Sequence, residues 1–252
     1  MSRAPTDERH ATCWVLRVLL AATVLLAAGA RAQTCARPAP LAPDAPPNLG
    51  QLNLELRYYK CSGEYDRQLE QVIAGARGFL EDRLAHKSAG EKLALVLDID
   101  ETSLSNWPAI IASDFGFLKM RGCSLGANEG CGFDAWIDLA AAQAIKPTLE
   151  LYRFAHWRGV KIFFITSRRS DQLAKTQDNL HSAGYADWDG LIVKTDPTQS
   201  PQQFKTAQRI KIERLGFTIA ANIGDQWSDL EGAHAERTYK LPNPFYLIPA
   251  DP

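Results

Sequence analysis

Four short apolar runs, "LALVLDI", "VKIFFIT", "GLIVKT" and "TIAANIGD", set the tightest limit on what this chain can fold into. None alternates apolar with polar residues. Alternation marks a strand with one wet face, whereas a continuous run marks a strand covered on both faces, as at the centre of a parallel sheet. The stretches between the runs have helical spacing. From Glu64 to His86 the residues Tyr65, Leu69, Val72, Ile73, Ala76, Leu80 and Leu84 recur on one face of a long helix, weakened locally by Gly75 and Gly78. Further helices are predicted from near Pro147, from Ser170 as cap to Gly184, and from about Gln202 to Leu215 before Gly216. Strands alternating with helices predict a parallel α/β sheet in one domain.

One connection breaks the rhythm. Between the first two strands lies the stretch from Ser103 to Lys146, too long for a simple crossover, and it is read as a small cap insertion (about 103–146) beside the first strand. It carries Trp107, Phe115, Phe117, Phe133 and Trp136. These side chains either form the cap's own core, the commoner fate, or stack on an aromatic or nucleoside leaving group.

The N-terminus has Arg3, Arg9 and Arg17, an apolar run from Val18 to Ala28, and then "AGARAQ" with small residues at Ala30 and Ala32. This is the pattern of a signal peptide over residues 1–32, cleaved before Gln33. The apolar run is shorter than the roughly 20 residues that span a bilayer, so no stable membrane anchor is expected. "AQTC" also lacks the residues that lipoprotein processing favours before a cysteine, which argues against a lipid on Cys35. Residues 33–51 form a Pro/Ala-rich leader, and the folded domain is expected over 52–252. Export to a periplasm or beyond places the chain where disulfides persist. Cys13 leaves with the signal, and Cys35, Cys61, Cys123 and Cys131 allow three pairings. A bridge across the glycine-rich "SLGANEG" loop would join Cys123 to Cys131 and leave Cys35 for Cys61.

With 28 basic and 29 acidic side chains, the chain has no field that would attract nucleic acid. The carboxylates that bear on function stand where the strands end. Ligands of open α/β sheets gather at the carboxyl ends of the strands. Those ends carry Asp98 with Asp100 and Thr102, Thr166 with Ser167, and Asp225 with Asp229. A single aspartate there is commonly a helix cap. Carboxylates crowded at two strand ends repel each other and lose hydration, which a divalent cation with oxygen ligands relieves, and Mg2+ is the natural ion. A carboxylate can also attack phosphorus, and Asp98 is placed to do so. Asp100 can protonate the leaving alcohol and then deprotonate the hydrolytic water. His10, His86, His156, His181 and His234 are scattered without ligand spacing, which argues against a phosphohistidine.

The segments "DIDET", "FFITSR", "FKTAQR" and "NIGDQWSDLEG" resemble, in order and spacing, the four motifs of the haloacid dehalogenase-like (HAD) superfamily. With the closing "YKLPNPFY" they are similar to its subfamily IIIB, the class B-type acid phosphatases that include plant vegetative storage proteins. The resemblance implies a Rossmann-like, HAD-like sheet and a Mg2+-dependent acid phosphatase acting on small phosphomonoesters through an aspartyl phosphate. It implies Asp98 as nucleophile, Asp100 as general acid and base, Thr166 as phosphate ligand and Lys205 as the balancing cation. The metal would be held by Asp98, the carbonyl of Asp100 and Asp225, with Asp229 as ligand or behind it. Ser167 and Arg168 stand beside Thr166 as candidate substrate contacts, although for Arg168 holding its own loop is the favoured role. A homo-oligomer is compatible with the sequence.

Two rival classes share part of this pattern. A phosphoacceptor signalling module uses an aspartate, an acidic metal site, a Ser or Thr and a lysine. It would not be exported, and Asp100 would shorten the life of its aspartyl phosphate. A storage or binding protein of the same fold would have lost catalysis, as plant relatives do when the nucleophile is replaced, but here Asp98 is intact.

Overall fold

The computed structural model describes residues 35–39, 46, 48–118, 122–125 and 130–248. The expected signal peptide and much of the leader lie outside the described residues. Helix α1 (Leu49–Cys61) begins before the expected domain start at Leu52, with the Asn48 side chain capping it by accepting from the Gln51 amide. Its far end is tied by a disulfide between Cys35 and Cys61. Helix α2 (Glu64–Ala85) follows, as its periodicity requires.

The sheet opens with β1 (Lys92–Leu97). The insertion then leaves through β2 (Leu104–Ser105), contains α3 (Trp107–Ala112) and α4 (Phe133–Leu139), and returns through β3 (Gln143–Ala144), which pairs antiparallel with β2. A disulfide joins Cys123 to Cys131 within it. After α5 (Lys146–Trp157) come β4 (Lys161–Arg169), α6 (Leu173–Ser182), β5 (Gly190–Lys194), α7 (Pro201–Arg214), β6 (Phe217–Gly224), α8 (Trp227–Leu230) and β7 (Arg237–Lys240). Ser170 does not cap α6: it opens a 3₁₀ turn over Ser170–Gln172, and the helix starts after it.

The five strands run parallel in the order β5-β4-β1-β6-β7. β7 was not expected, because "RTYK" is a short polar edge strand with no apolar run to announce it. β1 shows why its run is continuous. Leu93, Leu95 and Leu97 point to one face, against Tyr65, Leu69 and Ile73 of α2 and Leu151 and Tyr152 of α5. Ala94 and Val96 point to the other face, with Phe204 and Ile212 of α7. Burying each such side chain contributes about 1.5–3 kcal/mol before entropy is counted. The chain winds from β1 outward to β4 and β5, then crosses back to β6 and β7. That change of direction falls beside β1, and it opens a crevice at the carboxyl ends of β1, β4 and β6.

Candidate active site

Asp98 stands directly after β1, its amide donating to Ile223 O of β6 at 3.0 Å. Beyond it the chain turns sharply: the amides of Thr102, Ser103 and Leu104 all converge on Ile99 O, and Ser103 Oγ donates to Asp98 O at 2.6 Å. Ile99 is buried in the core, so Asp98 and Asp100 on either side of it face the crevice. Glu101 takes a positive φ of 51° to complete this turn.

Four of the expected residues come together at one point. Lys205 Nζ, brought in by α7, donates to Asp98 Oδ1 and to Asp229 Oδ1 at 2.5 Å each. Asp98, Asp225 and Asp229 each offer an oxygen within 4.8 Å of the others. Asp225 follows β6 and is held by Thr102 Oγ1 at 3.3 Å, Gln226 Nε2 at 2.7 Å and Asn243 Nδ2 at 2.6 Å. Asp229, in α8, spends its second oxygen on the Gln226 amide at 2.8 Å. Close packing requires glycine at 224, because a β-carbon there would meet Asp229 Cβ at 2.3 Å. The buried guanidinium of Arg209 fastens the same loop through the carbonyls of Asp229, Glu231 and Ala233.

The electrostatics of this cluster are out of balance. Three buried carboxylates face one ammonium. Burial raises the Asp98 carboxyl well above its usual range; Lys205 opposes the rise and the neighbouring carboxylates add to it. Asp225 is pushed up to about 6, by burial first and Asp229 second. Burial alone would lower Lys205, but Asp229 and Asp98 overcome it and raise it. A hard divalent cation with oxygen ligands supplies the missing positive charge, so the donor set fits the expected metal.

Asp100 lies in a different setting. Arg168, at the end of β4, reaches it with Nη2 at 2.7 Å and Nε at 3.2 Å, and its Nη1 rests on Thr176 Oγ1 at 3.3 Å. Burial would raise the Asp100 carboxyl, yet the Arg168 charge and the Arg168 and Asn106 hydrogen bonds hold it below its usual range. Thr166 is buried with Oγ1 accepting from the Arg168 amide at 3.1 Å. Ser167 Oγ is buried and has no hydrogen-bond partner among the described residues.

A cavity of about 780 Å³ is lined by Asp100, Ser167 and Arg168, by Phe115, Phe117 and Phe133 of the insertion, and by Arg169 and Lys194. Trp136 does not face it. Only 1% exposed, this side chain donates through Nε1 to Asn106 Oδ1 at 2.8 Å. Sequence reasoning missed Asn106, Glu101, Gln226 and Asn243. Asn106 sits in "SNWP", which reads as a helix cap, Gln226 lies inside "GDQWSDL", where the acidic residues carry the signal, and Asn243 lies in the closing "YKLPNPFY", where no acidic residue points to it.

Comparison with known proteins gives the chain its relatives. The chain is 40% identical over 162 residues to the stem 28 kDa glycoprotein of Glycine max, covering 62% of this chain and 61% of that one. It is 35% identical over 156 residues to acid phosphatase 1 of Solanum lycopersicum, covering 61% and 58%. Against vegetative storage protein 2 of Arabidopsis thaliana it is 30% identical over 157 residues, covering 62% and 56%. It thus spans about six-tenths of the length of the curated relatives it matches. In fold it is similar to the class C acid phosphatase from Bacillus anthracis, with a TM-score of 0.63 at 24% identity, covering 79% of this chain and 86% of that one. The model of the HAD superfamily, subfamily IIIB (acid phosphatase), matches residues 47–249, and the chain belongs to that family.

Proposed function

We propose that this protein is an exported, Mg2+-dependent acid phosphatase that hydrolyses small phosphomonoesters through an aspartyl phosphate on Asp98. The observation that carries the reading is the division of labour between two aspartates separated by one residue. Asp98 lies among carboxylates and a lysine, where a phosphoryl group and a cation would be neutralised together. Asp100 lies on an arginine at the mouth of a cavity that suits a leaving group. Both disulfides, joining Cys35 to Cys61 and Cys123 to Cys131, suit an oxidising compartment. Among the described residues no helix is long and apolar enough to cross a membrane.

Asp98, the main-chain carbonyl of Asp100 and Asp225 would hold the cation, with Asp229 ligating or standing behind it. When bound, it supplies the positive charge that keeps Asp98 ionised and offsets charge on the phosphoryl oxygens. Asp98 attacks phosphorus, the ester P–O bond breaks, and the leaving oxygen takes the proton of Asp100. Asp100, now a carboxylate, withdraws a proton from the water that attacks the aspartyl phosphate, releasing phosphate and restoring both groups. Lys205 balances the charge passed between Asp98 and the phosphoryl group. Thr166 and the unpartnered Ser167 hydroxyl offer donors to its oxygens. Arg168 holds Asp100 ionised at rest, so the acid half of the cycle gains from a low pH.

The test is turnover of p-nitrophenyl phosphate with and without chelator, beside Asp98→Asn. Hydrolysis that needs a divalent cation and falls by about 10⁴-fold or more in the variant is expected. Undiminished turnover by Asp98→Asn would refute the mechanism. Names of the relatives that speak of storage and stem glycoproteins favour a second reading, a protein of this fold kept for another purpose. The intact Asp98, Lys205 and Asp225 argue for chemistry.

A further inference from the structure

We propose that Asn106 is a positioning residue for the general acid: clamped by Trp136 of the cap, it helps to fix the orientation of the Asp100 carboxyl and leaves Oδ2 as its open oxygen. The inference rests on the phosphatase reading above and concerns how the insertion takes part in it.

The hydrogen bonds around Asp100 are unequal. Oδ1 accepts from Arg168 Nη2 at 2.7 Å, from Asn106 Nδ2 at 2.9 Å and from Arg168 Nε at 3.2 Å. Among the described residues Oδ2 accepts only from the shared Arg168 Nε, also at 3.2 Å. Oδ1 is thus crowded by donors that hold the carboxyl in place, and Oδ2 is the oxygen left open to approach a leaving group or a water.

The orientation of the Asn106 amide is fixed by a neighbour that can only donate. The indole Nε1 of Trp136 gives its hydrogen to Asn106 Oδ1 at 2.8 Å, which leaves Nδ2 to face Asp100. Asn106 and Trp136 are each 1% exposed, and the main-chain N–H of Asn106 donates to the Glu101 carboxylate, which fixes the backbone from which the side chain springs. The ordinary role for an asparagine at this position is to cap the next helix, yet its side chain makes no capping bond to α3. Asn106 opens the insertion and Trp136 lies on α4 near its close, so displacement of α4 would release the acid from its orientation.

The readout is the dependence of kcat/KM on the leaving group. p-Nitrophenolate departs without a proton, whereas the alkoxide of β-glycerol phosphate needs one as the P–O bond breaks. Asn106→Ala is expected to lower kcat/KM for β-glycerol phosphate by about 10²-fold and for p-nitrophenyl phosphate by less than about tenfold. Trp136→Phe keeps an aromatic ring in the core while removing the donor. It should show the same selectivity at smaller size, and it keeps the test valid if Asn106→Ala misfolds. Equal losses on the two substrates in both variants would overturn the inference. Asp100→Asn, run alongside, separates the two levels. If that variant is leaving-group selective while Asn106→Ala and Trp136→Phe are not, only the positioning role falls. If Asp100→Asn is not selective, or the wild type turns over neither substrate, the acid assignment falls and the positioning role falls with it.

Discussion

Asp98 and Asp100 differ by two positions in the chain and stand in opposite electrostatic surroundings. Around Asp98 the charges do not balance: Asp98, Asp225 and Asp229 are buried against one ammonium, and Asp98 and Asp225 are raised. Around Asp100 they do: one guanidinium meets one carboxylate, with Asn106 as an extra donor, and the carboxyl is lowered. The first region is built to take in more positive charge. The second is complete without a ligand and is organised for orientation. Buried charge needs an external partner only where the fold supplies too few of its own.

Removing Lys205 breaks the comparison most severely. Lys205→Met leaves Asp98 and Asp229 without the ammonium that bridges them at 2.5 Å, and the loss of one partner of a buried pair costs about 3–5 kcal/mol. Activity should fall by about 10³-fold, since one charge facing the phosphoryl group is gone. Thermal unfolding and kcat/KM for p-nitrophenyl phosphate measure both effects. If millimolar divalent cation restores the melting temperature while activity stays low, the deficit lies in charge. A variant as stable as wild type without any cation would show that Asp98 and Asp229 do not depend on Lys205.

The unbalanced region was also the more legible one. Its carboxylates lie at strand ends that continuous apolar runs announce, because a strand covered on both faces has nowhere but its end to place a charge. "LALVLDI" therefore carried both the sheet and Asp98. The balanced region was half hidden. Arg168 could be read beside Thr166, but its pairing with Asp100 depends on how far β4 extends, and β4 runs on to Arg169, past the expected end at Thr166. Asn106 and Trp136 meet across 30 positions of the insertion, whose short helices carry little periodicity to fix their placement. β7 was silent for the same reason, since its four residues have no apolar run.

Adding a cation to the metal-free protein sharpens the contrast with a smaller effect. Mg2+ at a hundred times its dissociation constant should stabilise the fold by about 2.7 kcal/mol, visible as a raised melting temperature. Asp225→Asn should lose most of that response. Asp100→Asn should keep it, because only its main-chain carbonyl would face the ion. The response should also fade as the pH drops below about 6, where Asp225 takes up a proton that competes with the cation. Equal responses in the two variants would place the ion elsewhere.

An effect of similar size, spread over a range of pH, concerns a carboxyl beside the balanced region. Glu101 is fully buried, with Oε2 accepting from Tyr65 Oη at 3.0 Å and Oε1 from the Asn106 amide. Burial, with Asp225 adding to it, raises its pKa to about 7 against the two hydrogen bonds that lower it. The folded protein therefore holds this proton more tightly than the unfolded chain does. In the window from about 4.5 to 7 the folded state binds more protons, so its stability falls as the pH rises, by roughly 3 kcal/mol from this group. Asp100 acts in the opposite sense at lower pH, because its carboxyl is depressed and its contribution is lost on acidification. Glu101→Gln keeps the shape without the charge. Relative to wild type it should gain stability steadily between pH 5 and 7.5, followed by urea unfolding in chelator so that no cation intervenes. A difference that stays constant with pH would mean that Glu101 is not neutral at the acid end, and that the Asp100 side also contains a charge the fold has left uncompensated.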